Sequence, residues 1–110
     1  MNSLYNDITL GKFMISGPCV LEDYDTAFEI ASFAKEICEE YGFTFIFKAS
    51  FDKANRTSVD SYRGVGLEKS KEIFKELSKE FYTTTDIHTP SQANEIADYV
   101  DIIQIPAFLS

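Results

Sequence analysis

The chain has 110 residues, 45% hydrophobic and 15% aromatic, enough apolar content for one modest globular core and unlike the composition of a disordered segment. A formal charge of −8 excludes a sequence-independent nucleic-acid binder, which must neutralise phosphates with many cations. The apolar runs are far shorter than the ~20 residues that cross a bilayer. Asp7, Gly11 and Lys12 break up the opening stretch, so no signal-peptide pattern is expected. Cys19 and Cys38 stand as two free thiols, and the reading is a reduced, cytoplasmic protein with neither a nucleic-acid nor a membrane partner.

In chain order, "ITLGKFMIS" carries two short apolar runs around Gly11-Lys12, which suits a hairpin within residues 1–15. "FMISGPCVLED" reads as a strand broken by Gly17-Pro18, after which Asp23 or Asp25 can cap a helix. From Thr26 to Tyr41 the apolar residues Phe28, Ile30, Ala31, Phe33, Ala34, Ile37 and Cys38 fall at helical spacing, and Gly42 supplies the stop. "FTFIFKAS" is a continuous β-prone run, the pattern of a strand buried on both faces.

Residues 51–66 are polar, and a second helix follows in "LEKSKEIFKELSKEF", with Leu67, Ile73, Phe74, Leu77 and Phe81 on one side. "YTTTDI" is a β-branched strand. Pro90 stands ahead of a third helix, "SQANEIADYV", and "DIIQIPAFLS" is another buried-strand pattern. Strands and helices alternate, which predicts a parallel sheet with right-handed crossovers in residues 16–110.

In such a sheet the strand ends point to one rim, where loops meet a ligand. That rim receives "GPC", "KASFDKANRTS", "DIHTP" and "QIPAF". Lys48 and Ser50, two apart, point to the same side. Lys48, Lys53, Arg56 and Arg63 face only Asp52 and Asp60 in that stretch, a surplus suited to a phosphate or carboxylate. Composition alone reads equally as a solvated loop face, but placement after a buried strand favours a site. Cys19 is either a small buried hydrophobe or a thiolate donor. Cys38 is core, and His88 is expected to be a structural hydrogen-bonder.

"ISGPCVLE", "FIFKASFDKANRTS", "RGVGLE", "TTDIH" and "IIQIPAFL" resemble, in order and context, the 3-deoxy-D-manno-octulosonate 8-phosphate synthases, also called 2-dehydro-3-deoxyphosphooctonate aldolases. The resemblance runs from Ile15 to the last residue. It implies an α/β fold, the first four strands of a (β/α)8 barrel whose bottom is closed by an N-terminal hairpin. It also implies a homo-oligomer, tetrameric by family, that condenses phosphoenolpyruvate with D-arabinose 5-phosphate in lipopolysaccharide biosynthesis.

Carried over by position, Lys48, Ser50 and Lys53 resemble phosphoenolpyruvate contacts, with Lys53 between the two substrates. Asn55, Arg56 and Thr57 resemble the sugar-phosphate grip, Lys53 and Asn55 being the catalytic candidates. Asp86 resembles a sugar-hydroxyl contact, and Gln104, Pro106 and Ala107 part of the phosphoenolpyruvate wall. Family members with Cys in the "GPC" position use a divalent metal, so Cys19 resembles a metal ligand whose partner ligands are not in this chain.

Departures are Thr57 for the usual Ser, Thr89 where an acid is common, and a shortened link between Phe81 and Thr84. A family barrel takes roughly 250 residues, so the 110-residue piece alone is expected to be inactive, and its open sheet edges to favour association. The competing expectations are an inactive remnant that serves as an anion-binding or assembly module, and the sister 7-phosphate synthase, which typically has "KPRT" where this chain has "KANRTS".

Overall fold

The computed structural model describes residues 11–51 and 65–105. Seven elements alternate along them: β1 (Lys12–Ser16), α1 (Tyr24–Glu40), β2 (Phe43–Lys48), α2 (Leu67–Leu77), β3 (Tyr82–Asp86), α3 (Pro90–Ile96) and β4 (Ile102–Gln104). The strands form one parallel sheet in the order β1-β2-β3-β4, as the alternation predicts. The hairpin expected within residues 1–15 falls largely outside the described residues; its last part, from Lys12, is β1.

α1 starts where Asp23, in an extended conformation, accepts the Thr26 N–H at 2.7 Å and the Thr26 hydroxyl at 3.2 Å. The backbone bond first, then the hydroxyl, holds the Asp23 carboxyl below its ordinary pKa. At the other end Gly42 takes a φ of +77°, a conformation that costs glycine nothing and lets the chain turn straight into β2. α1 buries Ala27, Ala31 and Cys38, small residues that let it lie close to the sheet. Burial also pushes the Cys38 thiol pKa up.

β2 buries Phe45, Ile46 and Phe47 in succession, so both of its faces are covered. Between sheet and helices, Phe45, Phe47 and Ala49 meet Ile73, Phe74 and Leu77 of α2. Phe81 joins Phe28 at 5.6 Å and Phe45 at 6.2 Å, edge-on to both. That contact explains why α2 ends at Leu77, short of the predicted Phe81. Residues 78–80 turn, which points the Phe81 ring back into the core while its N–H still reaches the Leu77 carbonyl at 2.9 Å.

α3 is also shorter than predicted. It stops at Ile96, after which residues 97–99 turn so that Tyr99 and Val100 pack against the core. β4 departs from the buried-strand expectation: Ile102 and Ile103 are half-buried and Gln104 is exposed, because β4 is the sheet's outer strand, with β3 as its only pairing partner among the described residues. No described helix is long and apolar enough to cross a membrane.

β3 buries three consecutive threonines. The Thr85 hydroxyl donates to the Ala49 carbonyl at 2.8 Å, and the Thr83 hydroxyl lies 2.8 Å from that of Ser78. The Thr83 N–H donates to Asp101 Oδ2 at 2.9 Å, at the rim opposite the strand ends. Asp101→Ala leaves that buried N–H unpaired and is expected to cost about 1–3 kcal/mol, read as a lower urea midpoint at unchanged slope.

Candidate functional site

Alternation along β2 sends Phe45, Phe47 and Ala49 to the helices and Ile46, Lys48 and Ser50 to the opposite face. Parallel register carries that face across the sheet. Lys48 pairs with Thr84, Thr84 with Ile102, and Asp86 with Gln104. Lys48, Asp86 and Gln104 therefore share one face at the carboxyl end of the sheet, as expected from the sequence.

At the end of β1 the ladder gains a residue. Ser16 pairs with Phe47, but Val20 pairs with Ser50, so four steps on one strand answer three on the other. The extra residue falls within Gly17-Pro18-Cys19, and Pro18 has no N–H to place in a ladder. Beyond it the backbone rejoins its neighbour. Ser50 N–H donates to the Cys19 carbonyl at 3.3 Å, and Leu21 N–H to the Ser50 carbonyl at 2.8 Å.

The result is a concavity of about 330 Å³ lined by Ile15, Ser16, Gly17, Pro18, Cys19, Lys48 and Ser50. Cys19 is exposed there, which settles the choice between buried hydrophobe and accessible thiol in favour of the latter. Ser50 is buried in its wall and Lys48 is half-buried, its aliphatic stem continuing the apolar run. Gly17 is what lets β1 pass so close: a Cβ there would overlap the Lys48 carbonyl oxygen and stand 2.9 Å from its carbonyl carbon.

Further along the rim, the Asp86 carboxylate lies 3.9 Å from His88 Nε2. Asp86 Oδ1 and both His88 ring nitrogens are buried and make no hydrogen bond to any described residue. The His88 ring stands edge-on to Phe51 at 5.9 Å between centroids. Only its backbone N–H is held, by Gln92 Oε1 at 2.7 Å. Buried polar atoms without partners are costly. The "DIH" spacing, which puts Asp86 and His88 on one side, was the available sequence signal for this pair.

Lys53, Asn55, Arg56, Thr57, Pro106 and Ala107 lie outside the described residues. Of the described residues on either side of the first four, Gly66 N–H donates to the Phe51 carbonyl at 3.1 Å. Among the described residues no group of three or more His, Cys, Asp or Glu side chains could hold a metal. Cys19 brings one sulfur, which by itself does not fit a metal centre.

Along the rim the described residues offer a cation, a hydroxyl and a thiol at the concavity, and, outside it on the same sheet face, a carboxylate with a carboxamide. That set suits a ligand with an anionic head and hydroxyl groups. Gly17→Ala is expected to push β1 off Lys48 and destabilise the fold by about 1–3 kcal/mol. Chemical denaturation checks the loss, and faster alkylation of Cys19 in the variant checks that this rim has opened.

Residues 7–110 match the model of the DAHP synthetase I family. Over 98 residues the chain is 51% identical to the 2-dehydro-3-deoxyphosphooctonate aldolases of Brucella canis, Brucella suis and Brucella ovis, covering 87% of this chain and 35% of each relative. The chain thus spans about a third of the length of the curated relatives it matches.

Proposed function

This chain belongs to the DAHP synthetase I family, and we propose that it forms one side of the active site of a 3-deoxy-D-manno-octulosonate 8-phosphate synthase built on a (β/α)8 barrel. The observation that carries this reading is 51% identity to octonate aldolases across a stretch that includes the Cys19, Lys48 and Ser50 concavity. An eight-carbon product made with three-carbon phosphoenolpyruvate requires a five-carbon aldose phosphate, here D-arabinose 5-phosphate. The sister reaction, giving a seven-carbon product, requires a four-carbon one. The family's description names the sister activity, whereas the relatives' names and the "KANRTS" stretch favour the octonate.

In the proposed reaction, carbon 3 of phosphoenolpyruvate bonds to the aldehyde carbon, whose oxygen takes a proton and becomes a hydroxyl. Water oxygen bonds to carbon 2, the C–O bond to phosphate breaks, and inorganic phosphate leaves. Lys48 supplies a positive charge to the phosphoenolpyruvate end, with the Ser50 hydroxyl in the adjoining wall. Asp86 accepts from sugar hydroxyls, and Gln104 lies next to it in register. Lys53 sits between the two substrates in this assignment, and Asn55, Arg56 and Thr57 hold the sugar phosphate. Pro106 and Ala107 complete the wall. Cys19 is assigned as one thiolate donor to a divalent ion whose remaining ligands come from elsewhere in the barrel.

The test is a chimera in which this chain replaces the matched stretch of the Brucella canis aldolase, assayed for phosphate release with five-carbon and four-carbon aldose phosphates. Turnover of the five-carbon substrate is expected. Lys48→Gln should lower kcat/KM for phosphoenolpyruvate about 10²–10³-fold. Arg56→Ala should raise KM for the sugar phosphate about 10–100-fold, the worth of a lost charge-assisted hydrogen bond, without shifting the melting temperature. A preference for the four-carbon aldose would transfer the chain to the sister reaction; melting losses that parallel the activity losses would remove Arg56 from the site.

A further inference from the structure

Between the end of β3 at Asp86 and the start of α3 at Pro90 the chain turns out of the sheet. Its last ladder bond runs from the Ile87 N–H to the Gln104 carbonyl at 3.2 Å. Beyond it, the His88 and Thr89 N–H groups have no backbone partner among the described residues. Both donate to one atom, Gln92 Oε1, at 2.7 Å and 3.2 Å. An atom that accepts from two N–H donors must be the oxygen of the carboxamide, so its orientation is set by chemistry.

That oxygen governs how His88 is held. Neither ring nitrogen bonds to a described residue, and the ring meets only the Phe51 edge at 5.9 Å and Asp86 Oδ2 at 3.9 Å. The first contact is weakly directional and the second is beyond hydrogen-bond reach. The direction of the ring therefore follows from the His88 backbone, and the one hydrogen bond on that backbone beyond the ladder is the bond to Gln92.

We propose that Gln92 is a positioning residue of the rim: by gripping two successive N–H groups past the end of β3, its carboxamide oxygen fixes the His88 ring against Asp86 and so the place from which the Asp86 carboxylate meets a sugar hydroxyl. The proposal rests on the active-site reading given above, which assigns Asp86 to the sugar. A helix cap alone does not account for the contact. A capping box needs the side chain three residues in to accept from the cap residue, here Thr89, whereas the shorter of the two bonds goes to His88, outside the helix. The holder is also rigid. Gln92 stands in the first turn of α3, whose Ile96 is fully buried and whose Ala93 packs on the core. On the other side of the gripped segment, Ile87 is buried in the same core. With both flanks seated, the His88–Thr89 peptide can turn only by leaving Gln92 Oε1.

Gln92→Leu removes the acceptor and Gln92→Glu keeps it. His88 is the only histidine of the 110-residue chain, so its ring Cε1–H gives a single proton resonance there. Gln92→Leu should move that resonance toward the position of a free histidine, and Gln92→Glu should leave it with the parent. In the Brucella canis chimera, Gln92→Leu should raise KM for the aldose phosphate about tenfold, the worth of one or two lost hydrogen bonds, with KM for phosphoenolpyruvate within about twofold of the parent. Gln92→Glu should restore the sugar KM. An unmoved His88 resonance, equal losses for both substrates, a lower melting temperature with both KM values unchanged, or no rescue by Gln92→Glu overturns the proposal; the third result would leave Gln92 a helix cap only. The resonance is read without turnover. If it moves as expected while the parent chimera condenses neither aldose phosphate, the proposed activity falls and the hold on His88 stands. Should the chain alone not fold, the same resonance is read in the chimera, identified by its loss in His88→Asn.

Discussion

The parallel pairing of β1 with β2 is the constraint from which the rest of the arrangement follows. Five residue pairs from Lys12 with Phe43 to Ser16 with Phe47 fix which side chains face the helices. Because the side-chain period of a strand is two, a slip of one residue would send Lys48 into the apolar layer and Phe47 to the mouth. Two features keep the register. The apolar run Phe45-Ile46-Phe47 is buried on both faces, and Gly17 permits a backbone approach to Lys48 that any side chain would block. The same glycine thus serves packing and site at once. It brings the end of β1 against Lys48, and the extra residue that follows turns Cys19 outward.

Polarity divides along the sheet's two faces in a way that suits a site. Toward the helices the sheet presents phenylalanines, and its threonine hydroxyls there are satisfied inside the fold, Thr85 by the Ala49 carbonyl and Thr83 by Ser78 and Asp101. Toward the other face it presents Lys48, Asp86 and Gln104 near the strand ends. The helix side therefore supplies stability independent of ligand, while the polar atoms of the mouth, above all Asp86 Oδ1 and the His88 ring, remain without partners among the described residues. A scaffold that holds such atoms ready bears their desolvation in advance, and a ligand that pairs them recovers it.

Much of this was readable in the residues. The helix cap, left between Asp23 and Asp25 by the sequence and found at Asp23, and the Gly42 stop are local chemistry, because capping depends on atoms within one turn. Lys48 and Ser50 share a side for the equally local reason that strands alternate. What was not readable depended on neighbours distant in the chain. α2 ends four residues early because Phe81 is wanted by Phe28 and Phe45, a contact that helical periodicity cannot reveal. β4 has the composition of an interior strand and the exposure of an outer one, since among the described residues it pairs with β3 alone. Cys19 was ambiguous because its exposure is set by a ladder offset with no motif of its own. For His88 a lone histidine says nothing about which acceptor its ring will find, and among the described residues it finds none.

That mismatch between composition and exposure is informative at both margins of the sheet. Ile102 and Ile103 at one edge, and Phe13, Met14 and Ile15 at the other, are residues of a buried strand that stand partly in solvent. Their side chains carry the apolar surface of a sheet with a neighbour on each side, and edge strands designed for solvent carry charges, prolines or bulges instead. β1 has Lys12 alone among its five residues as such a guard, and β4 has none among its three. On the proposed barrel reading both edges of this parallel sheet would be paired, and in a twisted parallel sheet with helices on a single side, continued pairing at both margins would lead toward closure. The same geometry that gathers Cys19, Lys48, Asp86 and Gln104 along one rim would, on closing, bend that rim into a ring and turn a row of polar groups into a pocket.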